Sequence, residues 1–143
     1  MSDGKKRLMG VDIGEVRIGL AVSDTTGTIC TPLKTLVAKG VPGDQETIAK
    51  LAADYEAEAI VVGLPVNMDG SFGPAARKAQ AFCRVLRTLT ELEVITYDER
   101  LTSHQAESQL RAAGIKPSRN KSQVDSAAAA LILESYLASQ AGS

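Results

Sequence analysis

The stretch LMGVDIGEVRIGLAVSD, Leu8 to Asp24, places an acid inside what is otherwise a buried strand. Leu8, Met9, Val11 and Ile13 make an apolar run that Asp12 closes; Gly14 to Arg17 turn the chain, and a second apolar run, IGLAV, follows at once. Two apolar runs joined by so short a polar turn predict an antiparallel pair. A carboxylate within a sheet loses several kcal/mol of hydration unless it is paired or bound to a cation, so Asp12 needs a partner. The residues alone leave two open: the amides of the turn, or a metal ion.

Outward from this hairpin the chain predicts a mixed sheet. A weaker strand is expected near Thr28 to Leu36, after a polar turn at Thr25 to Gly27. Ile48, Leu51, Ala52 and Tyr55 recur at helical spacing behind Asp44, a candidate N-cap, predicting a helix over about Gln45 to Tyr55. AIVVGLP is a continuous β-branched strand of the kind covered on both faces. The glycine-containing loop Val66 to Gly73 then leads to Pro74 and a helix with Ala79, Phe82, Cys83 and Leu86 on its apolar side. The strand VITY, Val94 to Tyr97, runs into Asp98, Glu99 and Arg100. Thr102 and Gln105 have capping-box spacing for a helix that stops at Gly114, with Pro117 beyond it. From Val124 a last helix is expected, with Val124, Ala127, Ala128, Leu131, Ile132 and Ser135 on one face. The order βββαβαβαα implies an α/β fold: antiparallel first three strands, βαβ crossovers, and helices on both faces of the sheet.

Composition sets broad bounds. With 143 residues, 44% hydrophobic and 23% charged, the chain suits one globular domain spanning 1–143. No apolar run approaches the roughly 20 residues of a membrane span and no signal-type segment opens the sequence, so a cytoplasmic location with no membrane partner is expected. Cys30 and Cys83, with a single histidine, suggest neither a zinc site nor a disulfide framework. Sixteen basic and 17 acidic residues give a net charge of −1, which by itself does not favour nucleic acid. Their distribution does. Acids crowd Asp44 to Glu58, whereas Arg77, Lys78, Arg84 and Arg87 lie in one acid-free stretch and Arg111, Lys116, Arg119 and Lys121 in another. Such segregation can present a basic face to phosphates, although solvated helix faces are the commoner meaning of a charge run.

Functional groups of open α/β sheets gather beyond the carboxyl ends of the parallel strands. Asp12 and Glu99 are both near such ends, and Asp125 is in the first turn of the last helix. Three converging carboxylates repel one another unless cations neutralise them, and Mg²⁺ takes oxygen ligands. Paired divalent ions serve phosphodiester hydrolysis, so acids from distant segments with basic flanks point to a nuclease.

Four segments, GVDIGEVRIGLAVSD (Gly10 to Asp24), VVGLPVNMDGS (Val61 to Ser71), YDERLTS (Tyr97 to Ser103) and KSQVDSAAAALIL (Lys121 to Leu133), together resemble the YqgF/RuvX family of RuvC-like nucleases. The resemblance runs along nearly the whole chain. It implies an RNase H-like fold and metal-dependent cleavage of structured nucleic acid, with Asp12, Glu99 and Asp125 as catalytic residues and as ligands of Mg²⁺ or Mn²⁺, two ions in all. It further implies a part in maturing the 5′ end of pre-16S rRNA, with RNA on the small ribosomal subunit as partner. The older assignment in the family, Holliday-junction resolvase, would mean branched DNA instead, and a two-fold dimer; a monomer or weak homodimer is expected here. One departure stands out: Gly63, Leu64 and Pro65 occupy the place where RuvC itself carries an acid after its fourth strand.

Arg17, Arg100, Lys116, Arg119 and Lys121 are candidates to contact nucleic acid. Arg100 could equally pair with a carboxylate, and Arg17 could be simply solvated. Asp98 is expected to point away from Glu99. Asp69 is better suited to turn chemistry than to a metal, and His104 to the surface than to base catalysis. Two Phe and three Tyr are too few for a single-strand stacking platform. Two other classes compete: an actin-like phosphotransferase, for which 143 residues leave no second lobe, and a catalytically silent RNA-binding scaffold, against which the intact acids argue.

Overall fold

The computed structural model describes residues 7–102 and 121–141, with the backbone alone for 121–125 and 141. Strand β1 (Leu8–Ile13) turns tightly into the antiparallel β2 (Arg17–Ser23), in the register Met9 to Val22 and Ile13 to Ile18. Gly14 makes the turn possible: its amide donates to the Arg17 carbonyl at 2.9 Å, and a Cβ there would lie 2.6 Å from that same oxygen. The short strands β3 (Cys30–Pro32) and β4 (Leu36–Val37) both pair antiparallel with β2. Helix α1 (Gly43–Asp54) crosses over to β5 (Ala59–Leu64), and α2 (Pro74–Leu89) crosses to β6 (Glu93–Asp98). The sheet order is β3-β2-β1-β5-β6, with β1, β5 and β6 parallel. Helix α3 (Lys121–Ala141) completes the described elements.

Strand alternation divides the core between two faces. Met9, Val11, Leu20, Ile60 and Val62 pack with Ile48, Phe82 and Leu86 of α1 and α2. Leu8, Ala21, Ala59 and Val61 pack with Ala129, Ile132 and Leu133 of α3. Each fully buried large aliphatic side chain contributes about 1.5–3 kcal/mol, and β5, buried along its whole length, serves both layers. This is the mixed sheet with helices on both faces that the order of elements predicts.

Three local expectations are corrected. The expected strand over Thr28 to Leu36 is two strands, because Pro32 has no N–H to continue the ladder; between them the Leu33 amide donates to the Leu20 carbonyl at 2.7 Å. Asp44 is not the N-cap of α1. The helix starts earlier, with Pro42 at that position, and the Asp44 carboxylate reaches back to accept from the Lys39 and Gly40 amides at 3.0–3.1 Å. The last helix begins at Lys121, and its buried side is set by Ser126, Ala129, Ala130 and Leu133, with Ile132 and Leu131 beside them; Ala127 and Ala128 are only half-buried. The helix expected over Thr102 to Gly114, the break at Pro117 and His104 lie outside the described residues. Cys30 and Cys83 are free thiols whose burial raises their pKa, that of Cys30 to about 11. No helix among the described residues is long and apolar enough to cross a membrane.

Candidate active site

Asp12 sits near the carboxyl end of β1, on the face that α3 covers, because it shares the parity of Leu8 and Gly10. Glu99 opens a short 3₁₀ turn, Glu99–Leu101, directly after β6. The two carboxyl groups meet. Asp12 is hydrogen-bonded to Glu99, and its pKa is pushed up to about 9, by burial first and then by the bond to Glu99 and the like charge of that residue. One proton is therefore held between two acids. A divalent cation is the other way to relieve the same repulsion, and an all-oxygen donor pair of this kind suits a hard ion such as Mg²⁺ or Mn²⁺.

Gly63 makes the meeting possible, and sequence reasoning did not assign it a role. A Cβ on Gly63 would lie 2.6 Å from Glu99 Oε1, 2.9 Å from its Cγ, and 2.6 Å from Ile132 Cδ1. The Glu99 side chain thus lies across β5 in space that any other residue would fill. The signal was present, since a glycine inside a β-branched strand marks a close approach.

Asp125 is the fifth residue of α3, just past its first turn, because the helix starts at Lys121 and not at Val124. Three contacts orient that helix: Gly10 lies against Ala129 and Leu133, Gly63 against Ile132, and Gly27, beyond the far end of β2, against Leu137. Helix α3 consequently runs antiparallel to β1, and its first turn comes to the carboxyl end of β1, the end that carries Asp12. The Asp125 side chain is outside the described residues, as are the side chains of Lys121 and all of Lys116 and Arg119. Arg17, first in β2, has the parity of Gly19 and Ala21 and so stands on the Asp12 face. It forms no ion pair with a described carboxylate.

Arg100 is held by Asp98. Its guanidinium donates to both Asp98 oxygens at 2.7–3.2 Å, and its backbone amide donates to Asp98 Oδ1 at 2.9 Å. Arg100 beside it holds the Asp98 carboxyl below the usual range. Arg100 is thus paired with a carboxylate, that of Asp98 and not that of Glu99. A longer contact, 3.4 Å from Arg100 to the Met68 carbonyl, ties this turn to the loop before α2. That loop is closed on itself: Ser71 donates through N and Oγ to Asp69 Oδ1 at 2.9 and 2.6 Å, and Asn67 Nδ2 donates to Ser71 Oγ at 3.0 Å. Asp69 is thus committed to the turn. Asp24 is committed likewise, accepting from Thr26 Oγ1 and from the amides of Thr28 and Ile29.

Comparison with known proteins identifies the family and the fold. A family model described as RuvX, Holliday junction resolvase, matches residues 6–139. A candidate pre-16S rRNA nuclease of Anaeromyxobacter dehalogenans (strain 2CP-C) is 47% identical over 131 residues, covering 92% of this chain and 96% of its own length. Another, of Chloroflexus aggregans (strain MD-66 / DSM 9485), is 41% identical over 133 residues, covering 93% and 94%. Among solved structures, T. thermophilus RuvC in complex with Holliday junction substrate has a TM-score of 0.58 at 18% identity, over 94% of this chain and 96% of that one. Fowlpox virus resolvase with Holliday junction DNA has a TM-score of 0.58 at 14% identity, over 94% and 98%. Likeness at such identities shows the fold, which is RNase H-like.

Proposed function

Since the chain belongs to the RuvX family, we propose that it is a divalent-metal-dependent endonuclease that acts on pre-16S rRNA during 5′-end maturation, in the cytoplasm and with Asp12, Glu99 and Asp125 as its metal ligands. The observation that carries this reading is the paired, half-buried carboxyl groups of Asp12 and Glu99 at the carboxyl ends of β1 and β6. An acid pair that must share a proton when alone is a poor structural element and a good cation site. Two Mg²⁺ or Mn²⁺ ions, when bound, supply Lewis-acid charge to the phosphodiester and to the attacking water. The protein's own part is positional. Gly63 leaves the space through which Glu99 reaches Asp12, the Asp98–Arg100 pair fixes the turn that presents Glu99, and Arg17 offers a cation to a phosphate on the same face.

RNA is favoured over branched DNA by the names of relatives above 40% identity, whereas the family description names a junction resolvase. A single experiment separates them. Purified protein is incubated with Mn²⁺ or Mg²⁺ and precursor rRNA, linear DNA or a four-way junction, and the cuts are mapped. Cleavage of precursor RNA near the mature 5′ end, absent in Asp12→Asn, is expected; symmetric cuts in the junction alone would establish the resolvase instead.

A further inference from the structure

A cavity lies on the other side of the same strand end. Asp12 faces α3, and Ile13, the next residue, faces α1 and α2, where it helps to enclose a space of about 430 Å³. Such a volume falls within the roughly 300–1,000 Å³ of small-molecule sites and is far larger than a few waters would need. Its wall is mostly apolar, with Ile13, Gly14, Val41, Phe82 and Val85; its charged residues are the cation Lys78 and two acids, Asp44 and Glu15, the latter exposed at the β1–β2 turn. Lys78 forms no ion pair among the described residues. The only aromatic ring in the wall is that of Phe82, held in place by the core on its other side.

We propose that this cavity takes one unstacked nucleobase of the substrate, next to the nucleotide whose phosphate is at Asp12 and Glu99. The inference rests on the nuclease reading above. A strand crossing the carboxyl edge of the sheet over the Gly14 turn passes from one face to the other within a single residue of β1, so backbone chemistry and base binding are neighbours. A nucleobase matches the wall in kind: a flat apolar body for Phe82 and the aliphatic residues, and carbonyl oxygens or a flanking phosphate for Lys78. Asp44, also in the wall, is saturated by the Lys39 and Gly40 amides, and its charge is turned away from this role. The site is a single, partly open pocket, which needs only one aromatic residue; it is not a stacking platform.

The test uses a hairpin RNA with a short single-stranded 5′ tail, bound in the presence of chelator so that affinity is read without cleavage. An abasic residue is stepped along the tail. Removal of one base-stacking contact is expected to weaken binding about tenfold at a single position. Ala81→Trp, on the exposed surface of α2 at the cavity mouth, should cost the intact RNA the same factor and make the abasic substitution neutral. Lys78→Met, which keeps the bulk and removes the charge, should weaken binding several-fold at that position even if the larger substitution disturbs folding. Uniform effects along the tail, or an abasic penalty that persists in Ala81→Trp, would overturn the proposal. Unchanged RNA affinity with altered sedimentation of Ala81→Trp would assign the cavity to a side chain of a second copy. Wild-type cleavage in Mn²⁺ is scored separately: cleavage without base dependence removes the cavity proposal alone, and base dependence without cleavage removes the nuclease reading alone.

Discussion

Asp12 meets opposite requirements without a metal and in the proposed metal complex. Its folded pKa of about 9 is above that of the unfolded chain, so its contribution to stability is complete only below about pH 4 and declines as pH rises toward 9. Asp12→Asn removes that decline. In chelator the variant should melt several degrees above wild type at pH 8 and close to it at pH 4, as scanning calorimetry would show. Added Mg²⁺ should raise the melting temperature of wild type but not of the variant, and cleavage should be lost. At Gly63 the expected cost is steric: Gly63→Ala must displace Glu99 or Ile132, destabilising by about 1–3 kcal/mol in denaturant titration and abolishing turnover while RNA binding persists.

Among the elements, α3 shows what sequence periodicity could and could not say. Four consecutive alanines differ in neither size nor polarity, so their spacing does not tell which side is buried; the glycines on the sheet decide it, and their partners on the helix lie 69 to 123 residues away. The strands were legible because β-branched runs and tight turns are local signals, and so were Asp12 and Glu99, as acids ending apolar runs. The role of Gly63 and the actual start of α1 were not, since both depend on contacts between elements distant in sequence. Helix α3 is also pinned to β6, where Tyr97 Oη and Ser135 Oγ are 2.7 Å apart and the Tyr97 and Tyr136 rings meet edge to face. Tyr97→Phe should cost about 1 kcal/mol in equilibrium unfolding with activity retained. Arg100→Ala should leave unfolding nearly unchanged, because the Asp98 pair is exposed, yet lower turnover by releasing the turn that presents Glu99.

For the whole molecule, near-zero net charge makes nucleic-acid binding a matter of where the cations stand. Arg87 is withdrawn from that account, since its guanidinium donates to the Val94 carbonyl at 2.9 Å. Arg17 stands on the Asp12 face, and Lys116, Arg119 and Lys121 precede Asp125 in the chain. Replacing these four by alanine should reduce the log–log salt slope of RNA binding by about one per lost phosphate contact, measured by titration at several KCl concentrations. Replacing Arg77 and Arg84 is the control that should leave the slope unchanged. Gly10 and Gly63 carry a different consequence. They stand on neighbouring strands under one helix, and at each the smallest possible side chain, a single methyl, would fall within 2.7 Å of another atom. Gradual substitution has no first step at such positions, so a drifting sequence meets a cliff there and not a slope.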